Sequence, residues 1–312
     1  MELIEEYDTT GIGPCAATIG CFDGVHAGHR YLVRQLRDIA VAKGLKSVIV
    51  TFPVHPRQVM QTDYVPELLT CPERKFSLLN SLGADCCIVL SFTRELSLLT
   101  AREFMELLHE RYDVRALVIG YDHRFGHDRR ETFEDYSRYG RELGMSVIKA
   151  EPLKYGDTGD FVSSSAIRKL LKCGDVATAN RFLGYDYYID GTVTQGHRIG
   201  RRIGFPTANI IPSCPEKLVP GNGVYAVKVT LGDDVYKGML NIGNRPTLNN
   251  GGDTSIEVHI FDFSGDIYHR SLKIEFIGRI RNEMKFGSVG ELAEQLEKDK
   301  TTILTEQFKD RK

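Results

Sequence analysis

A glycine-rich segment near the start of the chain carries two histidines that are three residues apart. It follows a short apolar run and leads into a helical pattern, so it lies at a strand-to-helix turn. His26 and His29 share one face of the first helical turn. The helix N-terminus adds unpaired N–H groups and the positive end of its dipole. This combination suits negative charge that builds up on a transferring phosphoryl group.

The alternative is a glycine-rich turn with two surface histidines, but the H-x-G-H spacing favours phosphate chemistry. We predict that His26 and His29 are catalytic and that their neighbours bind the ligand: Gly20, Phe22, Asp23, Gly24 and Gly28.

Three more segments place polar side chains where predicted elements end or begin. His55 follows the second predicted strand and Asp122 follows the fourth. Each is also consistent with a polar loop residue whose hydrogen bonds are satisfied locally, but their shared position at strand ends favours ligand binding. The third segment, 162–168, contains three serines and an arginine at a helix start. Capping explains one serine. Ser163, Ser164 and Arg168 together resemble a phosphate clamp, because hydroxyls and guanidinium donate to oxyanions.

The second half of the chain has its own phosphate-binding residues. Gly204 ends a glycine-containing loop that could fold over phosphates. Thr207 and Asn209 offer oxygen ligands that suit Mg²⁺. Pro206 fixes the local backbone and so orients Thr207. We therefore predict that Thr207 and Asn209 bind metal and that Gly204 and Pro206 contact the nucleotide.

A carboxylate further along completes this second set. Glu257 alternates with apolar residues in a predicted strand and shares a face with His259. An inward carboxylate in a small barrel is unfavourable unless it is paired or catalytic, and a hydroxyl acceptor needs such a base. An outward, solvated Glu257 is the alternative, and the sequence does not decide between them. Asn241 and Arg245 lie in a polar turn that follows another strand, and we count them as ligand-binding.

The first half must fold as strands alternating with helices, which indicates a parallel sheet covered on both faces. Ligands bind beyond the carboxyl ends of such strands, where His26 and His29 fall. A capping box at Thr100 opens one of the helices. The predicted strands and the helix after the first of them are Ala16–Ile19, Tyr31–Ala42, Ser47–Phe52, Cys86–Leu90, Ala116–Gly120 and Met145–Ala150.

The pattern changes after a helix from Asp175 to Leu183, which ends at Gly184. Several strands then follow one another with turns but no helices between them, as in a small antiparallel barrel. A second capping box, at Ser288, opens a C-terminal helix that reaches about Phe308. The predicted strands are Tyr187–Val193, Gly223–Leu231, Val235–Ile242, Ser255–Phe261 and Leu272–Arg281. We place the domain boundary between residues 185 and 186.

Composition excludes several classes of protein. The chain has 312 residues, a formal net charge of −2, and 42% hydrophobic residues, which describes a globular protein without the positive field of a nucleic-acid binder. No apolar run has the length of a membrane span. The acidic start lacks the basic region of a secretory signal, and the seven cysteines form no C-x-x-C pair. We expect a cytoplasmic protein with no membrane or nucleic-acid partner.

Several motifs together resemble one known family. The segments 20–29, 120–126 and 163–168 match nucleotidylyltransferase motifs. Segment 204–209 is similar to the Mg-nucleotide motif of riboflavin kinases, and 257–263 to the segment that bears their catalytic glutamate. The motifs occur in the expected order over nearly the whole chain. The sequence therefore resembles the bifunctional bacterial riboflavin kinase/FMN adenylyltransferase family, also called FAD synthetases.

The resemblance implies an α/β protein with a Rossmann-like nucleotidylyltransferase domain at residues 1–185 and a riboflavin kinase β-barrel with a C-terminal helix at 186–312. It implies ATP, riboflavin and FMN as substrates, Mg²⁺ as cofactor, and no obligatory protein partner. Glu257 would orient or deprotonate the ribityl 5′-hydroxyl, with Mg²⁺ held through Thr207. The phosphate of FMN would then attack the α-phosphate of a second ATP, stabilised by the site residues His26, His29, Ser164 and Arg168.

Two departures and two alternatives remain. His123 stands where the family usually has phenylalanine, and segment 52–56 varies the usual F-x-P-H-P. One alternative is an adenylyltransferase for another phosphorylated substrate, such as a pantetheine or nicotinate phosphate, although the downstream barrel motif argues against it. The other is a non-catalytic flavin sensor. Because the chain has no Trp, flavin stacking must use Phe, Tyr or aliphatic side chains.

Overall fold

A computed structural model describes residues 1–5, 12–54, 56–60, 66–121, 123–127, 130–155, 160–195, 200, 204–244 and 254–308. Packing divides the chain into two compact units, Met1–Ser164 and Ser165–Lys312. The helices between residues 164 and 183 thus pack mainly with the second unit, and one of them contacts a barrel strand. The functional boundary at 185/186 stays a prediction.

The first unit is built on a six-stranded parallel sheet with the order β1-β4-β3-β2-β5-β6. The predicted parallel sheet is confirmed. The edge strand β1 was not predicted, because its acidic residues resemble a solvated terminus. The strands are β1 Glu2–Glu5, β2 Cys15–Ile19, β3 Lys46–Thr51, β4 Cys86–Val89, β5 Val114–Ile119 and β6 Ser146–Lys149.

Helices cover this sheet, and their ends follow the capping residues of the sequence. The first helix ends at Gly44, which adopts the left-handed conformation. The predicted capping box is present at Thr100 and Glu103. The helices are α1 Ala27–Lys43, α2 Pro56–Met60, α3 Pro72–Asn80, α4 Arg94–Leu98, α5 Ala101–Tyr112 and α6 Phe133–Leu143. Two further short strands, β7 Lys154–Tyr155 and β8 Asp160–Phe161, pair antiparallel with each other.

The second unit is a closed antiparallel barrel with the order β10-β13-β12-β11-β14-β9, which confirms the predicted barrel. Two helices precede it, α7 Ser164–Cys173 and α8 Val176–Leu183. After it, α9 Val289–Thr302 continues into a π-helical turn at Ile303–Gln307. The strands are β9 Tyr188–Thr194, β10 Ala208–Pro212, β11 Gly223–Leu231, β12 Asp234–Asn244, β13 Thr254–Ile260 and β14 Ser271–Arg281. The strand β10 was not predicted.

Strand register brings three of the predicted site residues side by side. Glu257 on β13 lies directly opposite Asn209 on β10 and, on its other side, opposite Asn241 on β12. Directly opposite residues of antiparallel strands project from the same face of a sheet. The register therefore positions an amide on each side of the carboxylate, although the three residues are far apart in sequence.

Candidate active sites

The turn that joins β2 to α1 has an unusual backbone. Gly24 has a φ of 84°, and two neighbours that carry side chains, Phe22 and Val25, have φ values of 51° and 37°. Positive φ is uncommon outside glycine and is a genuine outlier for a β-branched residue. Such conformations persist only where the surroundings enforce them, and they cluster at functional sites. Phe22 is 1% exposed, and its ring packs edge-on against the His29 ring with the centroids 5.0 Å apart. The buried phenylalanine therefore restricts the position of the histidine ring.

The two histidines of the turn stack on each other. Their ring centroids are 3.6 Å apart at an interplanar angle of 17°, and Nδ1 of His26 accepts the backbone N–H of His29 at 3.3 Å. Because Nδ1 accepts, a neutral His26 carries its hydrogen on Nε2. Gly28 permits this approach, since a Cβ there would lie 2.9 Å from the Val162 carbonyl oxygen and 3.1 Å from the His26 ring.

His29 is held in its neutral form. Burial lowers its pKa well below the ordinary value, and the positive charge that His26 and His123 can carry lowers it further. Its Nδ1 is buried and has no hydrogen-bond partner among the residues that the structure describes. A ligand group could meet this nitrogen. The turn therefore offers the His29 ring as a hydrogen-bonding group more than as a fixed charge.

Asp23 is engaged within the protein. The residue is 6% exposed, and its carboxylate accepts hydrogen bonds from the backbone N–H groups of Leu69 and Thr70, each at 3.0 Å, and from the Thr70 hydroxyl at 3.2 Å. The N–H of Gly24 in turn donates to that hydroxyl at 3.0 Å. Asp23 thus ties residues 69 and 70 to the glycine-rich turn. Its predicted contact with a ligand stays a prediction.

The remaining predicted groups of the first site are placed as follows. The hydroxyl of Ser164 donates to the backbone carbonyl of Asp23 at 2.9 Å, so Ser164 lies against the same turn. Gly20 follows β2 directly and donates its N–H to the backbone carbonyl of Val50. Ser163 is half-buried, and Arg168 lies in the first turns of α7, in the second unit. The predicted site residues His55, Asp122 and Arg245 lie outside the described residues.

A cavity of about 290 Å³ opens beside the carboxyl end of β5. Gly120, Tyr121 and His123 line one side of it, while the start of α6 and Lys149 line the other. This position at the end of a central parallel strand agrees with the rule for ligand sites in open α/β sheets.

In the barrel, a hydrogen bond joins the two groups expected to handle metal and proton. The hydroxyl of Thr207 donates to Oε2 of Glu257 at 3.2 Å. Glu257 is half-buried and lines a cavity together with Asn241. Glu257 is therefore not a fully solvated side chain, and its catalytic role stays a prediction. Gly204 and Pro206 are exposed just before Thr207, so the segment leading to the hydroxyl is accessible to a ligand.

Thr207 is shared by two cavities of the barrel. The larger, about 420 Å³, lies between residues 206–208 and segment 263–268, which contributes Ser264, Asp266 and Tyr268. The smaller, about 330 Å³, contains Glu257 and His259 and is bordered by α9. Two cavities that meet at one hydroxyl suit the transfer of a group from a ligand in one to a ligand in the other.

Several residues of the smaller cavity were missed as site residues by the sequence analysis. Arg281 on β14 forms a buried ion pair with Asp299 of α9, with Nε 2.9 Å from Oδ2, and Gln295 donates to the same carboxylate at 2.8 Å. This pair attaches α9 beside the cavity. Glu283 lines the cavity and accepts from Asn222 at 3.0 Å. An arginine at a strand end and an aspartate 18 residues later carry no local signal of such pairing.

The barrel oxygens fit a magnesium ion bound mainly through phosphates. Within the described part of the chain, no group of three or more His, Cys, Asp or Glu side chains could hold a metal by itself. Mg²⁺ usually takes only one or two protein oxygens and completes its shell with phosphates and water. The hydroxyl of Thr207 and the adjacent carboxylate are oxygen donors of the required kind. Across the same described residues, no helix has both the length and the apolar character needed to cross a membrane.

Comparisons with known proteins agree with this two-part arrangement. A family model for FAD synthetase matches residues 10–166, and one for riboflavin kinase matches residues 183–306. A Bacillus subtilis (strain 168) protein named bifunctional riboflavin kinase/FMN adenylyltransferase is 37% identical over 286 residues, which is 90% of this chain and 89% of that protein. The Haemophilus influenzae protein of the same name is 38% identical and covers 92% of each chain.

A solved structure shows the same fold over the full length. A crystal structure from Streptococcus pneumoniae, described as that of a macrolide-efflux protein, superposes with a TM-score of 0.86 at 30% identity, covering 98% of this chain and 99% of that one. Both halves of the fold, in the same order, thus recur in one solved chain. Together with the two family matches and the full-length relatives, this shows that the chain belongs to the family of bifunctional riboflavin kinase/FMN adenylyltransferases.

Proposed function

We propose that the barrel phosphorylates riboflavin through the Thr207–Glu257 pair. Glu257 accepts the proton of the ribityl 5′-hydroxyl, and the hydroxyl oxygen attacks the γ-phosphorus of ATP. The bond from that phosphorus to the β-phosphate oxygen breaks, and FMN and ADP are released. The observation that carries this proposal is the 3.2 Å hydrogen bond between Thr207 and Glu257 at the meeting point of two cavities.

The two cavities are proposed to divide the substrates. Riboflavin occupies the smaller one, where the base Glu257 and the apolar side chains Phe205, Leu292 and Leu296 are found. ATP occupies the larger one, with its phosphates at Thr207 and Pro206. In this arrangement Asn241 faces riboflavin beside Glu257, and Gly204 and Arg245 lie in segments proposed to contact the nucleotide.

Mg²⁺ is proposed as the metal of this reaction, with Thr207 and Asn209 as the residues that hold it. When bound, Mg²⁺ neutralises charge on the phosphates. The chain's own part is to present the Thr207 hydroxyl. Glu257 accepts its hydrogen, which leaves the lone pairs of the hydroxyl oxygen directed away from the carboxylate. The pairing of Asn209 with Glu257 across the strands keeps the amide beside the carboxylate to which Thr207 donates.

In the first unit, we propose that FMN is adenylylated. An oxygen of the FMN phosphate attacks the α-phosphorus of ATP, the bond to the β-phosphate oxygen breaks, and pyrophosphate leaves as FAD forms. The nucleophile is already an anion, so no base is required. His26, His29, Ser164 and Arg168 stabilise charge on the phosphoryl group. Binding of ATP and FMN is assigned to the other site residues, namely Gly20, Phe22, Asp23, Gly24, Gly28, His55, Asp122 and Ser163.

The wider proposal follows from these assignments. Residues 1–185 carry the adenylyltransferase and residues 186–312 the kinase. The protein works in the cytoplasm on ATP, riboflavin and FMN and needs no macromolecular partner.

One experiment tests the proposed function directly. The full chain is incubated with riboflavin, ATP and Mg²⁺, and flavins are resolved by chromatography. We expect FMN and then FAD. Formation of FAD only from supplied FMN would defeat the kinase assignment. Adenylylation of a pantetheine or nicotinate phosphate in place of FMN would defeat the flavin assignment of the first unit. Tight flavin binding without ATP consumption would identify a sensor instead.

A further inference from the structure

A single imidazole connects the two strands that carry the kinase residues. His259 lies two residues after Glu257 on β13 and is 8% exposed. Its Nδ1 lies 2.8 Å from the backbone carbonyl oxygen of Pro206, a residue 53 positions away. Pro206 immediately precedes Thr207, so the imidazole contacts the peptide unit whose N–H belongs to Thr207.

The strand register explains why a side chain is needed at this point. The β10–β13 ladder pairs Asn209 with Glu257 and Ala208 with Val258, and β10 begins at Ala208. Extending the ladder by one residue toward the N-terminus of β10 would pair Thr207 with His259. The residue before Thr207 is Pro206, which has no N–H to contribute to a ladder. The backbone therefore leaves the sheet just where Thr207 must be positioned. A bond to the His259 ring takes over where the ladder stops.

The orientation of the ring is fixed from several sides. Phe205 and Phe261 meet it edge-on, with centroids 5.1 and 5.6 Å away. A carbonyl oxygen can only accept, so Nδ1 of His259 must carry the hydrogen. Burial lowers the pKa of His259, which agrees with a neutral ring whose Nε2 holds no hydrogen near neutral pH. In this hydrogen bond, Nδ1–H of His259 is thus the donor and the Pro206 carbonyl oxygen is the acceptor.

We propose that His259 is a positioning residue of riboflavin phosphorylation: its Nδ1–H holds the Pro206 carbonyl and thereby aims the Thr207 hydroxyl at Glu257. The inference rests on the proposed kinase roles of Thr207 and Glu257. It assigns to His259 an action through the peptide before Thr207, without contact with the reacting atoms.

Three substitutions distinguish this role from packing. In His259→Asn the amide nitrogen is attached to Cγ, as Nδ1 is in histidine, so a donor to Pro206 is retained. In His259→Gln the donor sits one carbon further out, and in His259→Leu it is lost. We expect kcat for FMN formation to fall about 10- to 100-fold in the Leu and Gln variants and to stay within about threefold in the Asn variant. The KM for riboflavin should change little in all three.

Matched controls come from the first unit. His109 makes the same kind of contact, with Nδ1 3.1 Å from the backbone carbonyl oxygen of Val114, and His109→Leu should leave riboflavin phosphorylation unchanged. Adenylylation of supplied FMN, measured on every variant, reports whether the rest of the chain is folded and active.

The outcomes separate cleanly. Normal kcat in His259→Leu overturns the inference. An Asn variant as slow as the Leu variant also overturns it, because a donor at the position of Nδ1 would then not restore the rate. A raised KM with unchanged kcat would make His259 a wall of the flavin cavity and also overturns it. Should the Leu variant fail to fold, the Asn and Gln pair decides alone. A wild-type chain that forms no FMN would refute the proposed function itself.

Discussion

The two candidate sites place their phosphate-binding groups on different parts of the fold. In the first unit, the groups sit on a strained turn and a helix N-terminus, and they are imidazoles, a hydroxyl and backbone N–H groups. In the barrel, the groups sit on paired strands, and a carboxylate lies at the centre between Asn209 and Asn241. In the glycine-rich turn of the first site, the carboxylate of Asp23 accepts hydrogen bonds from the backbone N–H groups of Leu69 and Thr70.

The difference corresponds to the two nucleophiles of the proposed reactions. The phosphate of FMN is an anion and needs only stabilisation of the charge that develops during attack. The hydroxyl of riboflavin must lose a proton, which requires a positioned base. A carboxylate in contact with the FMN phosphate would repel this anionic nucleophile, whereas the hydroxyl of riboflavin needs a carboxylate as its base. Substitutions that remove the central group of each site should therefore separate the two activities.

The largest effect is expected for Glu257→Gln. The amide keeps the size of the side chain but cannot accept the riboflavin proton, so the rate of FMN formation should fall by about 10²- to 10⁴-fold. Adenylylation of supplied FMN should be unchanged. Chromatography of the flavin products under saturating ATP measures both. The matched control is Glu275→Gln, a barrel carboxylate that pairs with Lys273 at 2.8 Å. Equal losses of both activities in the Glu257 variant would contradict the separation of the sites.

A smaller but still large effect is expected for the double variant His26→Ala/His29→Ala. Removal of the stacked imidazoles should lower kcat for adenylylation by about 100-fold or more, the usual loss for an oriented donor. Riboflavin phosphorylation should persist, so FMN accumulates in the full reaction. His109→Ala in the same unit controls for loss of a structural histidine. Normal FAD production by the double variant would remove these histidines from the mechanism.

The fold was predictable from the sequence because local patterns determine it. Alternating apolar runs and capped helices predict the parallel sheet, and consecutive strands predict the barrel. The strands β1 and β10 escaped notice because an acidic terminus and a Pro-Thr-Ala-Asn segment resemble loops. Both are short and gain their stability from neighbouring strands, Cys86–Val89 for β1, and Tyr188–Thr194 and Thr254–Ile260 for β10.

The sequence predicted which residues carry the chemical groups of the two sites, but not which residues those groups contact. The place of Glu257 between Asn209 and Asn241 depends on strand register, which no local pattern specifies. The engagement of Asp23 depends on backbone groups 46 and 47 residues away. Contacts across such separations are set by tertiary packing, so a motif identifies chemical groups without showing which are available to a ligand.

Asp23→Asn tests whether an engaged carboxylate matters for the first site. An amide cannot accept from both backbone N–H groups through two equivalent charged oxygens, and it brings donors of its own against them. We expect the free energy of unfolding of the first unit to fall by about 1–3 kcal/mol and adenylylation to slow about tenfold through displacement of the turn. Calorimetry and product chromatography measure these changes. Thr70→Val, which removes only the hydroxyl, should have a weaker effect. Full stability with slowed adenylylation would mean that Asp23 acts through its proposed ligand contact alone, and would contradict its role in fixing the turn.

The smallest effect concerns pH, and here the two units should behave alike. Burial lowers the pKa of His29 in the first unit and of His259 in the barrel below the unfolded value of 6.5. The native state then binds fewer protons than the unfolded chain, so each histidine contributes stability that is complete above that pH and is lost as pH falls toward the folded pKa. Calorimetric Tm values at pH 7.5 and 5.5 should therefore show a smaller acid-induced drop in His29→Gln than in the wild type for the first unit. His259→Asn should do the same for the barrel. A drop of the same size in variant and wild type would mean that the imidazole is protonated as readily in the folded chain as in the unfolded one. The imidazoles of His29 and His259 would then act as cations and not as neutral groups.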